Sequence, residues 1–237
     1  MPQYKIHDDQ DLREKEITVI IPAAGLGKRM KSYGPKPLIR IRREKTILQN
    51  QLKLFNQVFR NPTIILVCGF QAEKLMDESS SDIIKVENEF YEETNVARSI
   101  AMGLRATTGK NVLVSYGDLV FNKEAIECLD YRSSSISVSE NQMGEDEVGC
   151  IVNKRGHLEH MMYDLPLKWN QLLYLQGAEL EKFKKIVYNK KNSKLFGFEI
   201  INKLINAGSR IKCTQHPKVR VIDVDTSKDT ETAKGII

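Results

Sequence analysis

The residues that could do chemistry begin with the stretch 17–38, ITVIIPAAGLGKRMKSYGPKPL. An apolar run breaks at Pro22 into Ala23-Ala24-Gly25-Leu26-Gly27, then into Lys28 and Arg29, with Lys36 set between Pro35 and Pro37. A small-residue loop after a strand exposes backbone N–H groups, and such groups bind anions. Arg29 and Lys36 add positive charge within reach of the same loop, so the expected ligand is anionic, with phosphate the natural choice. The spacing is neither a dinucleotide fingerprint nor a phosphate-binding P-loop. Carboxylates stand elsewhere. Asp118 follows the apolar run at 111–114, in Ser115-Tyr116-Gly117-Asp118. A carboxylate just past a buried strand lies where α/β proteins bind ligands, although turns and helix starts also favour Asp. Near the C-terminus, Val221-Ile222-Asp223-Val224-Asp225 alternates, which puts Asp223 and Asp225 on one face.

These groups need a sheet to position them. Apolar runs at 17–21 and 63–68 lack alternation, the mark of strands buried on both faces in a parallel sheet. Further strands are expected at 83–86 and 111–114. Between them lie helical patterns: 47–59 behind a Thr46 cap, 71–76, and one opened by Thr94 or Asn95 and running through Leu104. Strand and helix alternate, which predicts an α/β fold, a three-layer doubly wound arrangement on a mixed, mainly parallel sheet. After about residue 135 the grammar changes. Strands are expected at 136–138, 148–152, 172–175, 211–214 and 219–224, some antiparallel, with helices at 178–188 and 194–207. Asp229 reads as the N-cap of a last short helix, and residues 1–15 as a polar arm. No linker divides the chain, so a single domain spanning 1–237 is expected, in two halves at 1–135 and 136–237.

The net charge is +5, with 36 basic and 31 acidic residues among 237. So mild an excess argues against nucleic acid as a partner. The one basic cluster, KFKKIVYNKKNSK at 182–194, reads as a solvated face. Cys68, Cys128, Cys150 and Cys213 lack metal-ligand spacing and read as reduced core residues. His157 and His160 have no third ligand nearby, which argues against zinc. No apolar run approaches the ~20 residues of a bilayer span. The polar N-terminus holds no signal-peptide core, so no membrane insertion and a cytoplasmic location are expected.

The loop 22–30 with Pro35-Lys36-Pro37 resembles the signature of nucleotidyltransferases of the nucleoside-diphosphate-sugar pyrophosphorylase type, with Ala23, Ala24, Gly25, Gly27, Arg29 and Lys36 at the matching positions. The resemblance implies that the loop, Leu26 included, packs against a nucleotide. It gives Arg29 the outgoing phosphates and Lys36 the phosphate at the reacting end. Gly117-Asp118 matches the metal-binding Gly-Asp of that family, and an acidic residue on the terminal strand completes its Mg²⁺ site. Asp225 is the better match there and Asp223 a close rival. The segment Asn88-Glu89-Phe90-Tyr91-Glu92-Glu93-Thr94-Asn95-Val96-Ala97-Arg98-Ser99 is similar to that of bacterial cytidylyltransferases acting on phosphocholine and related compounds, with Asn88, Tyr91, Thr94, Asn95 and Ser99 matching and Val96 and Arg98 departing. Asn95 and Ser99 join the nucleotide-binding set on that ground. The methylerythritol-phosphate cytidylyltransferases share the opening loop. They carry a His-Asp-Ala-Ala-Arg type of segment where this chain has Ser115-Tyr116-Gly117-Asp118.

What the resemblance implies is a Mg²⁺-dependent cytidylyltransferase. It would join CTP to a small phosphorylated or phosphonate acceptor with release of pyrophosphate, in the service of a cell-surface polysaccharide or lipid. The first half would hold the nucleotide and the second the acceptor. Phe121, Tyr163, Trp169, Tyr174, Gln176 and Glu179 are the acceptor-side candidates, where an aromatic side chain could cage a quaternary ammonium, although core packing is the commoner fate of such residues. A sugar-1-phosphate nucleotidyltransferase would share every charged residue named. A non-catalytic nucleotide-binding regulator would be expected to have lost one of them. As to assembly, the expectation admits a homodimer.

Overall fold

The computed structural model describes residues 12–27, 34–42, 45–140 and 147–236. β1 (Thr18–Pro22) is buried along its whole length. Val19 and Ile21 enter one hydrophobic cluster and Ile20 the other, which is the physical content of an apolar run without alternation. After a 3₁₀ turn at Lys36–Leu38, β2 (Arg40–Arg42) and β3 (Lys45–Thr46) form a short antiparallel ribbon. Thr46 then opens α1 (Ile47–Val58) with a capping box. The Gln49 N–H donates to Thr46 Oγ1 at 3.2 Å, and the Thr46 N–H donates to Gln49 Oε1 at 3.0 Å. Such a cap contributes about 1 kcal/mol.

β4 (Thr63–Cys68), α2 (Ala72–Asp77), β5 (Ile84–Glu87), α3 (Val96–Arg105) and β6 (Asn111–Ser115) complete the alternating half. Next come β7 (Leu119–Phe121), α4 (Lys123–Glu127), β8 (Ser135–Ser139), β9 (Val148–Val152), β10 (Leu158–Tyr163) and β11 (Leu167–Gln176). The chain ends with α5 (Gly177–Tyr188), α6 (Gly197–Asn206), β12 (Lys212–Thr214), β13 (Val221–Asp223) and α7 (Ser227–Ala233).

Among the described residues the main sheet has nine strands. Seven run in the order β10-β9-β11-β6-β1-β4-β5, while β8 pairs with β11 and β12 with β8. β6, β1, β4 and β5 are parallel, and β11 joins antiparallel to β6. From β1 the chain steps to β4 and β5 on one side, then returns to β6 on the other. A crevice opens where such crossovers diverge, beyond the carboxyl ends of the strands. α1, α2 and α4 cover one face of the sheet, and α3, α5 and α6 the other. The result is the expected three-layer α/β fold. Outside it, β13 pairs antiparallel with β7, placing Asp223 opposite Leu119. Val120, Val224 and Ala233 join Ile39, Ile41 and Ile47 in a third small cluster that fastens this ribbon to the body.

Several local expectations change. Thr226, not Asp229, caps α7: Thr226 Oγ1 accepts the Asp229 N–H, and Asp229 is the third helical residue of a capping box. β7, α4 and β10 were not anticipated. The first two span only three and five residues. In β10 a bulge between Leu158 and His160 disrupts the alternation that betrays a strand. Leu12 is buried in the core, so the polar arm has ended by that residue, while residues 1–11 lie outside those described. All four cysteines are buried free thiols. Among the described residues no helix is long and apolar enough to cross a membrane.

Candidate active site

The crevice between β1 and β6 holds a cavity of 240 Å³ lined by Ala23, Ala24, Gly25, Gly27, Lys36, Asn95, Ser99, Gly117 and Asp118, among others. Its floor continues the ladders of the sheet. The Ala23 N–H donates to the Val67 carbonyl at 2.8 Å, and the Gly117 N–H to the Pro22 carbonyl at 3.2 Å. The two loops lie so close that a Cβ on Gly117 would stand 2.9 Å from Ala23 Cβ and 3.3 Å from the Pro22 oxygen. Gly69 is under the same constraint, since its Cβ would stand 2.7 Å from the Ala24 carbonyl oxygen.

At one end of the cavity lies an acidic cluster. Ligand oxygens of Asp118, Asp223 and Asp225 all fall within 4.8 Å of one another. Lys36 Nζ donates to Asp118 Oδ2 at 2.8 Å and to Asp225 Oδ1 at 2.5 Å. Burial would lower the Lys36 pKa, but the charge and hydrogen bond of Asp118 and the hydrogen bond of Asp225 raise it above the ordinary lysine value. Asp223 is pushed well above the usual carboxylate range, first by burial and then by the charges of Asp118 and Asp225. Three carboxylates against one ammonium leave the cluster short of positive charge. Asp223 Oδ1 is also buried without a hydrogen-bond partner. An all-oxygen donor set of this kind fits a hard divalent cation.

The segment after β5 forms a polar network. Asn88 is buried, and its Nδ2 reaches Thr94 Oγ1 and Ser99 Oγ, both at 3.3 Å. The side-chain oxygen of Asn95 accepts the Val96 N–H at 2.8 Å, so Asn95 caps α3 while also lining the cavity. Beyond Asn95, Val96 and Tyr116 lies a second cavity of 180 Å³, with Glu147, Tyr163, Lys168, Trp169, Gln171, Phe196, Phe198 and Asp223 in its wall. The Tyr116 ring meets Trp169 edge-on at 5.8 Å, and Lys168 pairs with Glu147.

Residues 19–165 match the MobA-like NTP transferase domain. The chain belongs to that family. It is therefore a nucleotidyltransferase, as the resemblance of its opening loop implied. No curated protein sequence is significantly similar to it. Solved structures share the fold. A CTP:phosphocholine cytidylyltransferase from Streptococcus pneumoniae superposes with a TM-score of 0.77 at 16% identity, over 94% of this chain and 99% of that one. The inositol-1-phosphate CTP transferase from T. maritima gives 0.74 at 15% identity, over 92% and 94%. A UDP-glucose pyrophosphorylase bound to UDP-glucose gives 0.73 at 13% identity, over 93% and 98%.

Within this NTP transferase the expected site residues fall out as follows. Ala23, Ala24, Gly25, Gly27, Lys36, Asn95, Ser99 and Asp118 line the first cavity. Leu26 lies in the same loop but is not among the lining residues, and Ser99 Oγ accepts from Asn88 Nδ2. Arg29 lies outside the described residues. Asp225 joins Asp118 and Lys36, and Asp223 joins both aspartates, so the two rivals stand side by side. Of the acceptor-side candidates, Tyr163 and Trp169 line the second cavity. Phe121 packs on Phe55 and Tyr174 on Tyr131 within the core, while Gln176 and Glu179 stand at the start of α5. Sequence reasoning missed two glutamines. Gln51 Nε2 donates to the carbonyls of Tyr116 and Leu119, both at 2.8 Å, and so holds the turn that carries Asp118. Gln171 Nε2 donates to Asp223 Oδ2 at 2.7 Å. The signal for Gln51 was present, since it interrupts the apolar stripe of α1 between Leu48 and Phe55.

Proposed function

We propose that the protein is a cytidylyltransferase that joins CTP to a small phosphorylated or phosphonate acceptor and releases pyrophosphate, with Mg²⁺ as its cofactor. One observation carries this reading. Two cavities share the wall Asn95, Val96 and Tyr116, and the acidic cluster reaches into both, Asp118 into the first and Asp223 into the second. A transfer enzyme needs two substrates that meet at one charged point. CTP is favoured by the Asn88–Ser99 segment and its likeness to cytidylyltransferases acting on phosphocholine.

The triphosphate is assigned to the first cavity, against the Ala23–Gly27 backbone. The acceptor is assigned to the second, where five aromatic side chains suit an acceptor with a cationic end. An anionic acceptor oxygen attacks the α-phosphorus in line, a P–O bond forms, and the bond to the β-phosphate breaks with pyrophosphate leaving. The attacking oxygen is already ionised, so no general base is required. Lys36 stays charged and neutralises the α-phosphate or acceptor phosphate. Arg29, which follows Gly27 closely in the sequence, is assigned to the β- and γ-phosphates. Asp118 and Asp225, with Asp223 beside them, would hold Mg²⁺. The bound ion supplies charge neutralisation at phosphate oxygens and a template for their orientation. Positioning and electrostatics of this sort account for most of the catalysis in phosphoryl-type transfers.

The test is pyrophosphate release with CTP, UTP, ATP and GTP against a panel of phosphocholine, phosphoethanolamine, phosphonates and sugar 1-phosphates. CTP with an amine-bearing phosphate is expected to give the highest kcat/KM. Preference for a sugar 1-phosphate would refute the acceptor assignment. Activity that survives both Asp118→Ala and Lys36→Ala would refute the site.

A further inference from the structure

β11 carries a defect that sheet formation alone does not require. Trp169 pairs with Val138 and Leu173 with Ile136, so a four-residue step on β11 runs against a two-residue step on β8. Asn170 and Gln171 lie within the surplus. Asn170 is buried and clamps the defect to β8: its Nδ2 donates to Ser137 Oγ and its Oδ1 accepts from Ser139 Oγ, both at 3.0 Å.

Gln171 has a φ of 56°. Among the described residues it is the one non-glycine with positive φ inside a strand, since Asn61, Gln71 and Asp164 lie in turns or beside a helix. Glycine or asparagine takes this conformation readily, whereas glutamine is strained in it. Strain of this kind persists where the surrounding structure fixes it, and it clusters at functional sites, as bulges do. The amide reached from this backbone donates to Asp223 Oδ2 at 2.7 Å, linking the main sheet to the β7–β13 ribbon. The other oxygen of Asp223 stays buried and unpartnered, and Asp223 belongs to the acidic cluster.

We propose that Gln171 is a positioning residue of the transfer site. The bulge at 170–171 holds its amide against one oxygen of Asp223, leaving the other free for the divalent cation shared with Asp118 and Asp225. The inference rests on the reading of the cluster as a metal site. It asks for a side chain that donates, is uncharged and has the length of glutamine. Partners that orient metal-binding carboxylates in this way typically account for a 10- to 100-fold difference in metal affinity.

Gln171→Gly, Gln171→Asn and Gln171→Glu in the full chain test it. Glycine removes the strain and the amide together. Relief of the strain offsets part of the lost hydrogen bond to Asp223, so the variant's melting temperature is expected to fall only slightly. Its Mn²⁺ affinity, read by electron paramagnetic resonance with CTP present and no acceptor, should fall about 10-fold or more. Turnover should fall with it while KM for CTP changes little. Gln171→Asn keeps a tolerant backbone but shortens the reach, so it should lose Mn²⁺ similarly. Gln171→Glu should lose the most, because a carboxylate there repels Asp223. Wild-type Mn²⁺ affinity in the glycine variant overturns the proposal, whatever its stability. Asp225→Asn separates the two readings. If it loses Mn²⁺ and Gln171→Gly does not, this inference alone falls. If wild type and Asp225→Asn bind Mn²⁺ alike, the metal-site reading falls too.

Discussion

Replacing Gln51 by leucine should damage turnover more than stability explains. Gln51 is fully buried on α1, and its Nε2 is shared by the carbonyls of Tyr116 and Leu119, the two ends of the turn that presents Gly117 and Asp118. Leucine removes both bonds. The Tyr116 carbonyl still accepts the Leu119 N–H at 3.3 Å, so the larger loss falls on the Leu119 carbonyl. A buried carbonyl deprived of its donor costs about 1–3 kcal/mol. Leucine also removes Gln51 Oε1, which is itself buried without a partner, and this offsets part of the loss. The net destabilisation should be about 2 kcal/mol, lowering Tm by roughly 4–8 °C for a chain of this size. Gln51→Glu should be worse, since it turns an acceptor charge toward two carbonyl oxygens. If the turn loses its anchor, Asp118 is misplaced against the phosphates, and an error of about 1 Å can reduce rate by about 100-fold. The assay is pyrophosphate release at saturating nucleotide and acceptor, below the melting range, beside a calorimetric scan. A leucine variant that melts lower yet keeps the wild-type kcat would refute the positioning argument and leave Gln51 a packing role only.

Lys36→Met should lower turnover by about 100- to 1000-fold, as loss of one preorganised charge contact does. The same change should tighten Mn²⁺ binding without nucleotide, because Asp118 and Asp225 lose the ammonium they hold at 2.8 and 2.5 Å; weaker binding would contradict the cluster's charge balance. Gly117→Ala should cost about 1–3 kcal/mol by overpacking and raise KM for the nucleotide, since its methyl would stand 2.9 Å from Ala23 Cβ; a thermal melt and a KM measurement decide this. Stability should also depend on pH through Asp130. Burial alone would raise its pKa, but hydrogen bonds from Lys212 at 2.6 Å and the Arg132 N–H at 3.0 Å outweigh it and bring the value to about 2. Unfolded aspartate titrates near ~3.9, so a contribution of about 2 kcal/mol is present above that value and lost as pH falls through the folded pKa. Urea midpoints of wild type and Asp130→Asn should therefore differ at neutral pH and converge towards about pH 2.

The first half of the fold was legible because both of its signals are local. Val19, Ile20 and Ile21 announce two-sided burial by the absence of alternation, and the Thr46–Gln49 box announces a helix start. The loop and Asp118 could be placed for the same reason, at the ends of such strands. The second half was harder because its strands join the same sheet antiparallel and carry bulges, at Leu158/His160 and Trp169/Leu173. A bulge resets the face on which each side chain falls, so periodicity stops reporting burial. Phe121 and Tyr174 stand in the apolar runs Leu119-Val120-Phe121 and Leu172-Leu173-Tyr174-Leu175, and the core packing that such flanks favour is what the fold shows. Alternation alone puts Asp223 and Asp225 on one face, the resemblance prefers Asp225, and the fold brings both into the cluster, Asp225 against Lys36 and Asp223 against Gln171.

The cluster brings together Lys36, Asp118, Asp223 and Asp225, segments far apart along the chain, and three of the four repel one another. Within 4.8 Å, carboxylates take up a proton or move apart unless they are neutralised or held from behind. Each aspartate has a separate holder. Gln51 fixes the turn before Asp118, and Gln171 fixes one oxygen of Asp223. Asp229 accepts the N–H groups of Asp225 and Thr226 at 3.1 and 2.7 Å, which gives this capping residue a second task. Lys36 is the only member that neutralises rather than restrains, and it is also the member that a phosphate can recruit. The repulsion is thus carried by the scaffold before any ligand arrives, so under the proposed function nucleotide and cation would meet a site already in its working geometry. On this argument, changes at the three holders should weaken cation binding in parallel, whereas a change at Lys36 should strengthen it. Opposite signs from residues of one cluster are a pattern that general destabilisation does not produce.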